Sequence, residues 1–281
     1  MRTYRSDDED SSRWEGFPFR AGDIVISTRS KSGTTWMQMI CALLVHRTPD
    51  LPAPLSELSP WLDHLIRPRD EVVAALEAQP FRRVIKTHTP LDGVPVDARA
   101  TYVVVARHPL DMAVSMYHQS ANIDRERLRE LTGAGEARVL PPLDEWLPRW
   151  VTRDSGYLDS LPGVLAHLTD AWHRRHEPNV VLVHYDDLRA DLAGRMAELA
   201  ARLHLDPPTP DLAEAATFER MRVRATELAP NAQGVLKSPR AFFRRGSSGA
   251  GREALGEAGL AAYDRRTREL AAPDLLAWLH R

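Results

Sequence analysis

The sequence predicts an α/β fold with a central parallel sheet and helices on both faces. Short runs rich in β-branched residues occur at 24–26, 81–88, 102–107 and 180–185, and they alternate with segments of helical composition. The third run is apolar almost throughout, as expected for a strand that is covered on both faces. Ligands collect outside the carboxyl ends of such strands, so the residues that follow each run are the candidates for a functional site.

Length and composition favour one domain over residues 1–281, with a loose, charged N-terminal arm at 1–15. Hydrophobic residues make up 43% of the chain, which is enough for a substantial core, and the formal charge is -2. That charge gives no reason to expect a nucleic-acid partner. The single cysteine, Cys41, excludes an internal disulfide and fits a reducing compartment. No apolar run is long enough to insert into a membrane, so we expect a cytoplasmic protein.

Lysine is rare in this chain. Of the 37 basic residues, only Lys31, Lys86 and Lys237 are lysines. A chain that otherwise uses arginine keeps lysine where a compact, strongly hydrated charge on a flexible stem is needed. Two of the three lysines fall inside the motifs described next, which favours functional roles for them.

The first run leads into a turn and then a helix. Gly33 supplies the backbone freedom that a tight turn needs, and the hydroxyl residues Thr34 and Thr35 open the helix. Unpaired amides and the positive end of the helix dipole converge at such a point, where Lys31 adds a mobile charge. The sequence therefore predicts an anion site and a three-layer fold similar to that of the P-loop proteins.

The segment Lys31-Ser32-Gly33-Thr34-Thr35-Trp36 resembles the loop of sulfotransferases that use 3'-phosphoadenosine 5'-phosphosulfate (PAPS). The chain looks like a bacterial member of that family, similar to the cytosolic sulfotransferases. The resemblance implies that these six residues bind the donor, with the loop on its phosphosulfate end. The Trp36 ring would present a face to the adenine.

The segment that ends the second run, Lys86-Thr87-His88, resembles the family's Lys-Thr-His segment. The resemblance implies that His88 is the general base that removes the proton from the acceptor, a role that suits an imidazole with a pKa near 6.5. Transfer would proceed in line and release 3'-phosphoadenosine 5'-phosphate (PAP). Lys31 and Lys86 would stabilise the negative charge on the leaving phosphate. The family needs no metal, and the sequence shows no metal-ligand spacing.

Arg107 and Ser115 lie eight residues apart at the end of the third run. They resemble the family's arginine and serine that bind the 3'-phosphate, and a guanidinium fork can bind phosphate through two parallel hydrogen bonds. Without the resemblance, Arg107 could equally cap a helix or form a salt bridge.

Three further segments resemble nucleotide-binding parts of the family. The resemblance implies that Tyr185 contacts the nucleotide. It places Thr217, Phe218 and Met221 at the adenine. It also implies a loop that closes on the 3'-phosphate, formed by Phe243, Arg244, Arg245 and Gly246. Residues 247–252 lack the tryptophan that family members often have after this loop. The resemblance therefore gives no support for the dimer of the animal cytosolic enzymes, and the oligomeric state is open.

Three functions compete at this point. The first is PAPS-dependent transfer to a hydroxyl or amine of a small or medium-sized acceptor. The second is a nucleotide kinase of the P-loop group, although its lysine should follow the glycines of the loop and be followed by a metal-binding hydroxyl. The third is a nucleotide-binding protein without catalysis. Aromatic and histidine side chains are candidates for the acceptor pocket: Trp61, His64, Tyr117, Trp146 and Trp150.

Overall fold

The centre of the molecule is a parallel four-stranded sheet. The computed structural model describes residues 1–133, 140–231 and 233–281. The strands are β1 (Ile24–Ser27), β2 (Val84–Thr87), β3 (Thr101–Ala106) and β4 (Val180–His184), in the order β2-β1-β3-β4. Ile24 of β1 is in register with Val84 on one side and Thr101 on the other. All four predicted strands are confirmed.

Helices connect and cover the strands. They are α1 (Thr34–His46), α2 (Leu55–Leu58), α3 (Arg69–Ala78), α4 (Pro109–Asn122), α5 (Arg125–Thr132), α6 (Leu143–Thr152), α7 (Leu161–His173), α8 (Tyr185–Ala190), α9 (Leu192–Arg202), α10 (Pro210–Ala215), α11 (Phe218–Val223), α12 (Ala225–Leu228), α13 (Pro239–Phe242), α14 (Ala250–Ala254), α15 (Glu257–Leu270) and α16 (Pro273–Leu279). In the part of the chain that the structure describes, no helix combines the length and apolar character needed to cross a bilayer.

Alternating strand residues divide the core into two layers. In β1, Val25 packs in one apolar cluster, and Ile24 and Ile26 pack in the other. Side chains that alternate along a strand point to opposite faces of the sheet. The cluster around Val25 includes residues of α4, α6, α7, α15 and α16, whereas the cluster around Ile24 includes residues of α1 and α9. The predicted three-layer α/β fold is therefore confirmed.

The element boundaries differ from the sequence prediction in two places. The second strand spans Val84–Thr87, which is shorter than the predicted 81–88. After the fourth run the helical composition up to about Leu205 predicts one helix, but the structure has two, because Asp191 ends α8 and caps α9 by accepting the backbone N–H of Gly194 at 2.9 Å. An aspartate side chain competes for nearby backbone N–H groups, which favours a helix start over a helix interior.

The N-terminal residues contact the rest of the molecule. Residues 1–15, which the sequence assigned to a loose arm, include Trp14 at 0% exposure, and its indole N–H donates to Asp63 at 3.0 Å. The hydroxyl of Tyr4 donates to Asp92 at 2.8 Å. Burial of a large aromatic ring stabilises this attachment by about 2–3 kcal/mol.

Candidate active site

One large cavity brings the predicted site residues together at the carboxyl edge of the sheet. Its volume is about 1790 Å³. The predicted residues in its wall are Lys31, Gly33, Thr34, Thr35, Trp36, Lys86, His88, Arg107, Ser115, Tyr185, Thr217, Phe218, Met221, Phe243, Arg244, Arg245 and Gly246. Ser32 is the predicted residue that does not line it, since its side chain is 3% exposed and its N–H donates to the carbonyl of Arg29.

The turn between β1 and α1 presents backbone N–H groups that no side chain of the described residues caps. Gly33, at the N-terminus of α1, has φ +109°, and no side chain caps the helix there. A Cβ atom at this position would lie 3.1 Å from the ring of Tyr185, so a side chain would also be crowded. The uncapped N–H groups and the helix dipole make this end of α1 suitable for an anion.

Lys31 lies in a strongly positive environment. Its Nζ atom is 3.8 Å from the centre of the Phe242 ring. Burial lowers its pKa to about 7, and the nearby charges of Arg107, Lys86 and Arg244 act in the same direction. A buried cation among cations favours a bound anion, which would offset both the burial and the repulsion.

Lys86 lies beside the candidate base. Its Nζ atom is 3.7 Å from the centre of the Trp61 ring. Burial lowers its pKa to about 8, while Glu9 and Asp63 oppose the shift. Lys31 and Lys86 are thus both held against aromatic rings at the cavity wall.

His88 is held in the state that a general base requires. It is 6% exposed, and its Nδ1 atom lies 2.5 Å from the carbonyl oxygen of Thr28. A carbonyl can only accept, so Nδ1 carries the proton and Nε2 keeps its lone pair. Burial, followed by the charges of Lys86 and Arg29, places the pKa of His88 well below its usual value. The ring is therefore neutral at neutral pH.

Arg107 has no carboxylate partner among the described residues. Its guanidinium donates to the carbonyl oxygens of Lys31 and Ser247, both at 3.2 Å, and lies 4.3 Å from the centre of the Tyr185 ring. Its Nε atom is buried and has no hydrogen-bond partner in the part of the chain that the structure describes. The N-cap of α4 is His108, whose ring accepts a backbone N–H. Of the roles left open by the sequence, neither the salt bridge nor the helix cap is therefore observed.

The loop that carries Arg244 and Arg245 is fixed by contacts that sequence reasoning missed. Asp111 of α4 accepts the backbone N–H groups of Gly249 and Gly251, each at 2.8 Å. Its position between Arg107 and Ser115 was the available signal. A Cβ at Gly246 would lie 2.5 Å from the Phe218 ring, so that close approach requires glycine.

A group of aromatic rings lines the cavity near the N-terminus of α1. The indole N–H of Trp36 donates to the carbonyl of Ala216 at 2.7 Å. The Trp36 and Tyr185 rings pack edge to face, with their centres 5.2 Å apart. Thr217 is the N-cap of α11, and Phe218 lies 6.4 Å from Phe243. This wall suits a planar base.

The candidate acceptor residues occupy another part of the cavity. Trp61, His64, Trp146 and Trp150 line it, whereas Tyr117 packs behind Trp146 at 5.4 Å without lining it. Sequence reasoning missed several polar side chains that line the same cavity: Arg67, Arg125, Arg149, Arg153 and Tyr157. Within the described ranges there is no group of three or more His, Cys, Asp or Glu side chains that could hold a metal ion.

Comparisons with known proteins agree with this geometry. A family model described as "Sulfotransferase domain" matches residues 21–273. The glycolipid sulfotransferase of Mycobacterium bovis (strain BCG / Pasteur 1173P2) is 45% identical over 99% of this chain and 93% of that protein. Sulfotransferase 1B1 of Mus musculus is 28% identical over 84% of this chain and 78% of that protein.

A solved structure supports the fold. Mouse sulfotransferase SULT7A1 complexed with PAP has a TM-score of 0.73 and 20% identity, and the match covers 96% of this chain and 90% of that one. The family match does not favour the nucleotide-kinase alternative. Since the family model covers most of the chain and a relative reaches 45% identity, this protein belongs to the sulfotransferase family and is an enzyme of that class.

Proposed function

We propose that this sulfotransferase moves a sulfuryl group from PAPS to a hydroxyl of an amphiphilic acceptor of the glycolipid class, with His88 as the base. The observation that carries the proposal is that Lys31, His88 and Arg107 open onto one cavity. The donor would lie with its phosphosulfate end at the α1 terminus and its 3'-phosphate at Arg107 and Ser115.

The residues present fit a nucleotide with two anionic ends. At the first end are the uncapped N–H groups of α1 and the Lys31 ammonium. At the second is Arg107, for which the described residues supply neither a partner for its buried Nε nor a carboxylate to neutralise its charge. A guanidinium that is left without a carboxylate can bind a phosphate through its fork.

The reaction would depend on proton transfer and charge stabilisation by this chain's own side chains. The Nε2 atom of His88 takes the proton of the acceptor hydroxyl as its oxygen bonds to sulfur, while the bond from sulfur to the bridging phosphate oxygen breaks in line. That oxygen gains negative charge, and the ammonium groups of Lys31 and Lys86 stabilise it. The products are the sulfate ester and PAP, with the proton on His88.

The cavity favours a large acceptor. Its volume of about 1790 Å³ exceeds the roughly 300–1,000 Å³ of a typical small-molecule pocket, so space remains beside the donor. Aromatic rings such as Trp146 and Trp150 line the same cavity as Arg125 and Arg153, which suits a molecule with apolar and polar parts. The relative at 45% identity is named a glycolipid sulfotransferase, which supports the same class of acceptor.

The proposal is tested by mass spectrometry of reaction products. The enzyme is incubated with PAPS and a panel of glycolipids, the free sugars of those lipids, a phenol, a sterol and an amine, with and without a chelator. We expect a gain of one sulfate on glycolipids, with or without the chelator. Transfer to phenols alone would contradict the acceptor class, and transfer from ATP with Mg²⁺ but not from PAPS would contradict the donor.

We also propose that residues 1–281 form one domain that works in the cytoplasm. Helices α15 and α16 pack in the same apolar cluster as β3, which supports one folding unit. Cys41 is buried and is the single cysteine, which is compatible with a reducing compartment. One cooperative thermal transition would agree with a single domain, and two transitions would contradict it.

A further inference from the structure

A buried ion pair lies directly behind the candidate base. Arg29 follows β1, and Asp159 precedes α7. The guanidinium donates to Oδ1 of Asp159 from two nitrogens, at 2.7 and 3.1 Å, and the two side chains are 3% and 8% exposed. Buried charged pairs are costly to desolvate, and the position of this one beside the candidate base makes it a candidate for a role in the reaction.

The end of β1 contacts His88 at both its ring and its backbone. The carbonyl of Thr28 accepts from Nδ1 of the ring, and the guanidinium of the next residue, Arg29, donates to the carbonyl of His88. The strand itself is fixed, because Ser27 donates to the carbonyl of Thr89 at 2.7 Å. The histidine is therefore held from two directions by consecutive residues.

Asp159 also connects the ion pair to the part of the cavity wall that contains the candidate acceptor residues Trp146 and Trp150, called the acceptor wall below. It lines the cavity, and its carbonyl accepts the indole N–H of Trp150 at 2.9 Å. The next residue, Ser160, caps α7 by accepting the N–H of Gly163 at 3.2 Å. The carboxylate that orients Arg29 is thus fixed by a helix start and by an aromatic side chain of the acceptor wall.

We propose that Arg29 and Asp159 are positioning residues that hold His88 with Nδ1 toward Thr28 and Nε2 toward the acceptor, and that they couple the acceptor wall to the base. The inference rests on the proposed role of His88 as the base. Neither residue contacts the reacting atoms in this scheme; both act through the orientation and charge state of the imidazole.

Loss of the Arg29 charge and loss of the Asp159 charge should shift the pKa of His88 in opposite directions. The charged and titratable groups that act on His88 are Lys86, Arg29 and His64, and Asp159 compensates Arg29 from behind. Loss of the Arg29 charge removes a repulsion and raises the pKa of His88. Loss of the Asp159 charge leaves the guanidinium uncompensated and lowers that pKa further. A purely structural role would not produce opposite shifts.

The experiment compares Arg29→Gln and Asp159→Asn in the full chain. A matched control is the other buried pair, Arg83 and Asp23, whose side chains are each 1% exposed at the amino end of the sheet. We expect kcat to fall about ten- to hundredfold in both test variants, since small misplacements of a catalytic group have such effects. The affinity for PAP should stay within about twofold, since neither side chain is part of the proposed nucleotide site. The pKa that governs the acid limb of the plot of kcat against pH should rise in Arg29→Gln and fall in Asp159→Asn. It should not change in Arg83→Gln or Asp23→Asn.

A second readout does not depend on activity. Imidazole ¹⁵N chemical shifts, assigned with His88→Ala, distinguish the Nδ1–H tautomer from the Nε2–H tautomer. If the single variants unfold, Arg29→Met/Asp159→Leu replaces the pair by apolar side chains, an exchange that folds often tolerate. We expect this double variant to populate the Nε2–H tautomer and to lose kcat.

Two results would overturn the inference: acid limbs that move in the same direction in the single variants, or a wild-type tautomer and kcat in the double variant. Either result leaves the proposed function standing if His88→Ala still lowers kcat by roughly 10²- to 10⁴-fold. Full turnover in His88→Ala would instead reject the base itself.

Discussion

The carboxylate of Asp111 accepts the backbone N–H of Gly249 at 2.8 Å, and its other oxygen accepts that of Gly251 at the same distance. Asp111 lies in α4, which begins next to Arg107 and contains Ser115. These hydrogen bonds therefore attach the helix that contains Ser115 to the segment that follows Arg244 and Arg245. This carboxylate is 4% exposed, and it joins the two segments, together with the hydrogen bond from Arg107 to the carbonyl of Ser247.

Replacing Asp111 by Asn should loosen this loop. The amide keeps one acceptor oxygen but presents an NH₂ group to the second backbone N–H, so one of the two hydrogen bonds is lost. Because a hydrogen bond to a charged group contributes about 1.5–3 kcal/mol, we expect the Kd for PAP to rise by about tenfold or more in calorimetric titration. Asp191→Asn is the control, since Asp191 also accepts a glycine N–H but lies outside the cavity wall. An unchanged Kd in Asp111→Asn would show that the loop is held by other contacts.

Arg107 should determine nucleotide affinity more than turnover. In Arg107→Ala the fork is lost, and we expect PAP binding to weaken by about 10²-fold while kcat at saturating PAPS changes much less. Arg107→Lys keeps a charge without the fork, so an intermediate affinity would identify paired hydrogen bonds as part of the contact. The exposed Arg222 serves as the control in Arg222→Ala. Equal affinities of Arg107→Ala and wild type would place the 3'-phosphate elsewhere.

His88 should determine turnover more than nucleotide affinity. In His88→Ala we expect kcat to fall by roughly 10²- to 10⁴-fold, because general-base catalysis typically contributes that much. PAP should still raise the melting temperature, since the proposed phosphate contacts come from other residues. His176→Ala, at an exposed position, controls for loss of a histidine. Turnover that survives in His88→Ala would remove this residue from the mechanism.

The sequence was most informative where local pattern and topology act together. The β-branched run of β3 and the glycine turn after β1 are local features, and parallel order then places the residues that follow each strand along one edge. The scarcity of lysine pointed to Lys31 and Lys86, and both lie in the cavity wall. Strand topology thus accounts for most of the proximity that the motifs implied.

Contacts between distant segments were beyond the same reasoning. Arg29 and Asp159 are far apart in sequence, and neither stands in a motif, so their pairing becomes visible only when α7 is placed against the sheet. The same holds for Trp14, whose hydrogen bond to Asp63 attaches an arm whose composition indicates a loose segment. Composition describes the average solvation of a segment, and one buried ring can outweigh it.

Nucleotide binding should take up a proton above neutral pH. Burial and neighbouring cations lower the pKa of Lys31 to about 7 in the free protein, so at pH 8 this side chain is mostly neutral. A bound phosphate favours the ammonium and moves the pKa back toward the ordinary value of about 10.4. The affinity for PAP should therefore fall by about tenfold per pH unit above pH 7. Calorimetry in buffers of different ionisation enthalpy measures the uptake directly, and pH 7.5–8.5 avoids the phosphate pKa near 6.

Substitutions of the lysines separate this effect from other sources of pH dependence. Lys31→Arg keeps its charge throughout the range, so its affinity for PAP should fall less steeply with pH than that of the wild type, and its proton uptake at pH 8 should be reduced to the part that comes from Lys86. Lys237→Met removes a lysine that donates to the carbonyl of Ala121 outside the cavity wall, so it should behave as the wild type. Lys86, with a pKa of about 8, adds to the uptake at the upper end of the range. Wild-type uptake at pH 8 in Lys31→Arg would show that the titrating group is not the lysine of the turn, because a guanidinium cannot deprotonate there.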